Sequence, residues 1–233
     1  MAESRITEPQ IGIFEAMYTA RAIRRLNADP VPNEIITKIL DAAIRAPSGS
    51  NNQNWVFIVV EDAAQRKKIA DIYRKGGQLL QTLYQNRERP AHMTEKQQAR
   101  LLASATYLFE HMNDVPVILL AGLKVVPMAP PSGPVPPELI GAMKTMQRLS
   151  GSSIYPAVQN IILACRAFGL GTVLTTIHAF FEDEVRGILD LPADIQTYAL
   201  LPIGYPIDKF GPVKRIPVNQ VAYLDRYGKN WPG

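Results

Sequence analysis

Apolar positions along the chain follow helical spacing in some stretches and form short unbroken runs in others. Ile13, Phe14, Met17 and Tyr18 recur at helical spacing near the start. After the stiff joint Pro30-Val31-Pro32, the pairs Ile35/Ile36, Ile39/Leu40 and Ala43/Ile44 paint one face of a second helix. Pro32 suits the first turn, Glu34 complements the helix dipole, and Pro47 stops the helix near Ala46. Ser48 to Asn54 is a polar loop. Val56 to Val60 is an unbroken β-branched and aromatic run, which predicts a buried strand. Ala63 to Lys75 reads as a helix closed by Gly76-Gly77. From Gln78 to Met112 the pattern stays helical, interrupted at Pro90, but it is rich in Gln, Arg and Glu. Such helices are exposed and cover something. Val117 to Ala121 predicts a second buried strand. Pro127 to Pro137 holds six prolines in eleven positions and must be an extended loop. Ile154, Val158, Ile161, Ile162, Cys165 and Phe168 mark the most regular amphipathic helix, with Gly169 as its C-cap. Thr172 to Thr176 predicts a strand, Glu182 to Leu189 a short helix, and Tyr198 to Ile203 a last strand. The tail from Pro212 to Gly233 cannot build a core alone, so it is expected to lie against another surface.

Composition narrows the class without naming a function. The 233 residues are 47% apolar and 20% charged, an ordinary globular balance. No internal repeat or domain boundary is visible, so residues 1–233 are expected to form one domain, with 1–10 as a flexible start. The longest apolar run, Val115 to Leu123, is far short of the ~20 residues of a membrane helix. The polar start lacks a signal-peptide core, so a cytoplasmic location and no membrane partner are expected. Cys165 is the one cysteine, which excludes an internal disulfide and a multi-cysteine metal site. The net charge of +4 is spread among acidic residues, with no long Lys/Arg block to follow a nucleic acid.

Several familiar chemistries fail on order or spacing. Gly169-Leu-Gly171 ends a helix and precedes a strand, the reverse of a dinucleotide loop, and Leu174 stands where a third glycine would be. Ser48-Gly49-Ser50 is not a nucleophile elbow. His92, His111 and His178 lack metal-ligand spacing, so no metal is expected. Cys165 lies on an apolar helix face, the place of an inert buried thiol. What remains is a basic stretch, Arg21-Ala-Ile-Arg24-Arg25, and a loop, Pro47-Ser-Gly-Ser-Asn-Asn-Gln-Asn-Trp55, leading into a strand. A doubly ionised phosphate wants two or three guanidinium donors. A planar heterocycle wants backbone amides and small hydroxyls along its edge. A solvated basic face would read the same way.

Together these stretches resemble the FMN-dependent nitroreductase family, which also embraces flavin reductases and iodotyrosine deiodinases. Ala20 to Leu26 stands where the family has an arginine-rich RRSxRxF motif. Pro47 to Trp55 matches its PSxxNxQPW loop, with Asn54 replacing proline. The helix ending in Gly169-Leu-Gly171 leads to Leu174-Thr175-Thr176-Ile177, and Leu201-Pro-Ile-Gly204-Tyr-Pro206 precedes Lys214-Arg215-Ile-Pro217. The resemblance implies an α+β fold: a mixed, mostly antiparallel central sheet flanked by helices. It also implies an intertwined homodimer with a long central helix at its interface, flavin held between subunits, and residues 212–233 as an arm wrapping the partner. By resemblance, Arg21, Arg24 and Arg25 with Lys214 or Arg215 surround the FMN phosphate, with Ala22 beside them. Pro47, Ser48, Gly49 and Ser50 line the flavin, and Asn51 and Gln53 lie next to it. Thr175, Thr176 and Ile177 follow the ring edge, and the two threonines are the candidate catalytic residues.

The implied activity is ping-pong hydride transfer from NADH or NADPH to nitroaromatic or similar electron-poor small aromatic acceptors. Enone or quinone reduction, dehalogenation, and non-enzymatic flavin binding are the alternatives on the same scaffold. Two departures bear on this. Ala20 and Ala22 replace an arginine and a serine of the family motif. Thr175-Thr176 resembles the deiodinase branch, yet the glutamate that branch places four residues before a tyrosine is Leu80 before Tyr84, or Ala103 before Tyr107. A zwitterionic iodotyrosine substrate is therefore not expected.

Overall fold

The computed structural model describes residues 11–85, 87–125 and 136–232, with the backbone alone at Pro137, Gln147 and Arg148. The proline-rich loop from Pro127 and the first ten residues lie outside the described part. Seven helices and four strands are found among the described residues: α1 (Ile13–Thr19), α2 (Asn33–Ala43), β1 (Trp55–Val60), α3 (Ala63–Leu83), α4 (Glu95–His111), β2 (Val117–Lys124), α5 (Pro137–Leu149), α6 (Tyr155–Ala167), β3 (Gly171–Thr172), α7 (Glu182–Ile188) and β4 (Ile195–Gly204).

The strands form one sheet in the order β1-β2-β4-β3, with every pairing antiparallel. Strands β2 and β4 are central, and helices cover both faces. Val117, Leu119 and Ala121 of β2 join Ala199, Leu201 and Ile203 of β4 under α2 and α6. Ile118, Leu120 and Leu200 point the other way, into a second core with α3, α4 and α7. A strand buried on both faces needs no polar alternation, which is why β2 reads as a continuous apolar run. A β-bulge falls between Ala121 and Gly122, where a Cβ on Gly122 would come within 2.7 Å of the Gln196 carbonyl oxygen.

Most predicted elements recur with shifted ends, and four readings need correction. β1 is an edge strand whose positions are half-buried apart from Val60, not a buried one. Gly76-Gly77 does not close a helix, because α3 runs through it to Leu83. Helical glycine costs about 1 kcal/mol, and here it makes room for close neighbours. A Cβ on Gly76 would lie 2.5 Å from Ile177 Cγ2, and one on Gly77 would lie 2.6 Å from the Phe109 ring. Thr172–Thr176 is not one strand: pairing stops after Thr172 and resumes as a single bridge between Thr175 and Leu200. Helix α5 has no counterpart among the predicted elements, since proline dominates the stretch before it. The central helix ends as expected. Gly169, at φ +73°, donates to Arg166 O at 3.1 Å, and Leu170 donates to Cys165 O at 2.8 Å. That pair of bonds is a Schellman motif.

Candidate functional site

A segment near the start of the described chain lies beside one that follows β4. Tyr205 O accepts from Asn27 N–H at 3.0 Å, Arg25 O from Ile207 N–H at 2.9 Å, and Tyr18 O from Val213 N–H at 2.9 Å. Residues 18–27 and 205–213 thus run antiparallel, and Lys214 and Arg215 follow directly on the residue paired with Tyr18. Arg166 of α6 fastens both strands. Its Nε donates to Thr19 Oγ1 at 2.8 Å, and its guanidinium lies 4.3 Å from the Phe210 ring centroid. Ile23 and Leu26 turn inward, filling the space over Gly171 that a Cβ would occupy at 2.6–2.8 Å. Arg21, Ala22 and Arg25 are therefore left exposed, as are Lys214 and Arg215. Among the described residues no carboxylate pairs with Arg21, Arg25, Lys214 or Arg215. Exposed cations without counter-charges favour an anion nearby.

Arg24 behaves differently from its neighbours. Its guanidinium is half-buried, donates to Ser104 Oγ on α4 at 3.4 Å, and faces the phenol of Tyr73. Burial lowers the Arg24 pKa and raises that of Tyr73, while each opposes the shift of the other. The Thr175 side chain, on the other side, also holds the Tyr73 pKa down. Arg24 and Thr175, distant in sequence, thus meet across one buried tyrosine. The sequence reading passed over Tyr73, because a tyrosine between Ile72 and Gly76 looks like another position of an apolar stripe. Arg25 lies over the Tyr107 ring at 5.0 Å.

The Thr175–Ile177 segment is held from two sides. Thr175 exchanges both backbone bonds with Leu200 at 3.0 and 2.8 Å, and its Oγ1 accepts from Ile177 N–H at 3.5 Å. Ile177 begins a 3₁₀ turn, Ile177–Phe181, seated on α3 at Gly76. Thr175 is buried, Thr176 is exposed and Ile177 is half-buried. His178 in the same turn is fully buried, and neither ring nitrogen has a hydrogen-bond partner among the described residues. Burial holds its pKa down to about 4, with Glu182 opposing, so the ring is neutral at ordinary pH.

The loop after α2 is wound tightly. Ser50, Asn51 and Gln53 all have positive φ, at 52°, 53° and 49°. Left-handed residues other than glycine cost roughly 1–2 kcal/mol each, and such strain concentrates at binding sites. Ser48 Oγ accepts from Gln53 N–H at 3.0 Å, and Gln53 Nε2 donates to Asn51 Oδ1 at 3.1 Å. Gly49 N–H donates to Ser153 Oγ at 3.0 Å, and Trp55 Nε1 to Ser153 O at 2.6 Å. Pro47, Gly49, Ser50, Asn51 and Gln53 are exposed, with Ser48 half-buried.

These contacts decide which predicted residues meet. Ser153 ties the loop to the start of α6, whereas the arginine segment is tied through Thr172, just beyond its end, by the Ile23 N–H bond to Thr172 O at 3.0 Å. A helix of 13 residues is about 20 Å long. Within one chain the loop and the arginine–threonine cluster therefore stand at opposite ends of the central helix. They do not form a single site there.

Helices α3 and α4 stand over the cluster and enclose a cavity of about 570 Å³. Apolar side chains also face outward elsewhere: Ile13, Phe14, Met17 and Tyr18 of α1, and Leu139, Met143 and Met146 of α5. Cys165 is fully buried and its thiol pKa is pushed far up, so it is inert. Among the described residues no cluster of His, Cys, Asp or Glu could hold a metal ion, and no helix is long and apolar enough to cross a membrane.

Comparison with known proteins adds to this geometry. Residues 18–205 match the profile of the Nitroreductase family. The chain is similar to an NADH dehydrogenase of Thermus thermophilus, 28% identical, with 93% of this chain and 97% of that protein covered. It is also similar to iodotyrosine deiodinase 1 of Rattus norvegicus, 27% identical over 83% of this chain, which spans 61% of the deiodinase's length. The fold matches that of an iodotyrosine deiodinase crystallised with FMN and 3-iodo-L-tyrosine. The TM-score is 0.64 at 24% identity, covering 94% of this chain and all of the other.

Proposed function

Because the chain belongs to the nitroreductase family of flavoprotein oxidoreductases, we propose that it uses FMN to carry electrons from NADH or NADPH to nitroaromatic or similar electron-poor acceptors. The observation that carries this reading is the antiparallel pairing of residues 18–27 with 205–213, which carries exposed Arg21 and Arg25 on one segment and leads into exposed Lys214 and Arg215 on the other, while Arg24 faces Tyr73 next to Thr175. A dianionic phosphate fits the exposed cations, and a flat ring fits the backbone edge and hydroxyls that follow. The donor set thus suits FMN. When bound, FMN supplies the redox chemistry, taking two electrons from a nicotinamide and passing them on. The protein's part is to hold and to tune. Exposed cations of the paired segments, Arg21 with Lys214 or Arg215, grip the phosphate. Tyr73, carrying Arg24 on one side and Thr175 on the other, keeps the ring-edge segment in place. Helices α3 and α4 restrict water at the reacting face.

Pro47, Ser48, Gly49, Ser50, Asn51 and Gln53 complete the site only if they come from a second copy. We therefore assign a homodimer, with the loop of one subunit facing the arginine segment of the other. The outward apolar faces of α1 and α5 and the coreless tail from residue 212 are surfaces that a partner subunit would cover. Residues 1–233 then act as one domain per subunit.

The test is direct. Purified protein should be yellow, run as a dimer, and lose its colour on anaerobic addition of NADH or NADPH. Arg21→Ala should weaken FMN retention about tenfold, the loss expected for one charge-assisted contact. A colourless protein that stays colourless when FMN is added would end the proposal. Likeness to the deiodinase favours a second reading, reductive dehalogenation on the same scaffold. Turnover of 3-iodotyrosine ahead of nitroaromatics would select it.

A further inference from the structure

The turn that follows the ring-edge segment is gripped at both ends by two neighbouring residues of α3. Gly76 lies so close to its first residue that a Cβ there would come 2.5 Å from Ile177 Cγ2. Lys75 reaches its last. The ammonium sits 4.1 Å from the Phe181 ring centroid and donates to Glu184 Oε1 of α7 at 2.5 Å. A cation over an aromatic face is attracted by the ring's quadrupole, so Lys75 ties both Phe181 and the first turn of α7 to α3. It does so from the surface, with its side chain half-exposed like that of Glu184.

The other fastenings lie mostly at the margins of the turn. Before it stands the pair of backbone bonds between Thr175 and Leu200. After it, Glu182 Oε1 accepts from Thr197 N–H at 2.8 Å and from Thr197 Oγ1 at 2.7 Å. Within it, Ala179 N–H donates to Thr176 O at 3.0 Å, and no side chain caps its start. His178 fills the core beneath, but neither ring nitrogen has a hydrogen-bond partner among the described residues, so the ring contributes packing alone. An exposed ion pair adds little to the stability of a whole fold. A short segment fastened at its margins, however, opens by itself, at a free energy below that of global unfolding. There a surface lysine has leverage.

We propose that Lys75 is a positioning residue for bound FMN. It keeps the Ile177–Phe181 turn seated on α3, and with it the backbone of Thr176 and Ile177 along which the ring edge would lie. The inference rests on the oxidoreductase reading above. FMN binds the seated turn, so its affinity follows the fraction of chains in which the turn is seated. Two variants separate this role from a plain field effect. Losing a cation weakens attraction for the FMN phosphate and losing an anion strengthens it. A field effect therefore moves Lys75→Met and Glu184→Gln in opposite directions, whereas positioning moves both the same way. In an FMN titration followed by fluorescence, Lys75→Met should weaken binding about threefold to fivefold and Glu184→Gln about twofold. Lys75→Arg should stay close to the parent. So should Lys67→Met, which breaks an ion pair with Asp71 about two turns earlier in α3. On the flavin-free chain, the Ala179 amide should exchange its hydrogen about threefold faster in Lys75→Met and Glu184→Gln, with urea midpoints equal to the parent's. Opposite shifts in FMN affinity, no loss of affinity in Lys75→Met, an unmoved Ala179 amide, a urea midpoint that falls with the affinity, or failure of arginine to restore binding would overturn the proposal. If neither parent nor variants take up FMN, the oxidoreductase reading falls instead, and exchange at Ala179 still decides whether Lys75 seats the turn.

Discussion

Replacing Gly76 by alanine sets two known effects against each other, and the structure says which one wins. In a helix interior the change should stabilise by about 1 kcal/mol through backbone entropy and propensity. At this position the new Cβ would fall 2.5 Å from Ile177 Cγ2 and 3.0 Å from the Ile177 carbonyl oxygen. The side-chain methyl can rotate away, but the carbonyl moves only with its turn. That turn is anchored two residues earlier by the paired bonds between Thr175 and Leu200. Overpacking of this kind costs about 1–3 kcal/mol, so net destabilisation of roughly 1 kcal/mol is expected once the propensity gain is subtracted. Gly141 in α5 is the control, since a Cβ there meets nothing within 4 Å. Gly141→Ala should raise stability by up to about 1 kcal/mol. Urea unfolding of both variants gives the comparison, and a flavin titration shows whether the displaced turn also weakens FMN binding, by about tenfold. If Gly76→Ala is stabilised as much as Gly141→Ala and binds FMN normally, α3 does not position the ring-edge segment.

The neutral, buried His178 makes stability depend on pH. Its folded pKa of about 4 lies below the unfolded value of 6.5, so the unfolded chain binds the extra proton between them. The contribution is whole above pH 6.5 and is lost as pH falls towards 4, up to about 3 kcal/mol in all. His178→Leu should flatten that part of the urea-midpoint profile; an unchanged slope would show that another group titrates. Tyr73→Phe removes the phenol between Arg24 and Thr175 while keeping the ring on Phe109. The expected result is an altered flavin reduction potential with a cost of about 1–2 kcal/mol in stability; a potential equal to the parent's would remove Tyr73 from the site. Thr176→Ala, at an exposed hydroxyl that makes no capping bond, should leave unfolding within about 0.5 kcal/mol of the parent yet change flavin redox behaviour. Ser50→Gly relieves a left-handed backbone and should stabilise the chain by a few tenths to about 1 kcal/mol; destabilisation would contradict the strain assigned to that loop.

Legibility varied with how local the determining force is. The α2 and α6 faces, the strand cores and the Gly169 cap were readable, because period, side-chain shape and φ preference act within a few residues. The Gly76-Gly77 pair was misread for the same reason. Locally it breaks helices, and nothing nearby announces Ile177 on one side and Phe109 on the other. β1 looked buried because its residues are β-branched and aromatic, but an edge position depends on which strands pair beyond it. Helix α5 escaped notice beside its prolines. Among the proposed site residues, Arg21, Arg25, Lys214 and Arg215 were singled out by charge, whereas Tyr73 carried no signal that distinguishes a network phenol from a core ring.

The amino-acid order alone thus determined the α+β class, the turns and caps, the chemistry of the basic and Pro-Ser-Gly stretches, and through them the family. Tertiary structure decided what those stretches face. It laid residue 213 against residue 18, set Tyr73 between Arg24 and Thr175, and put the Ser48–Gln53 loop a helix length away from the arginines. Short-range preferences act between neighbours in sequence, and they are written there. Long-range pairing comes from how sheet and helices pack together, and no single segment contains that information.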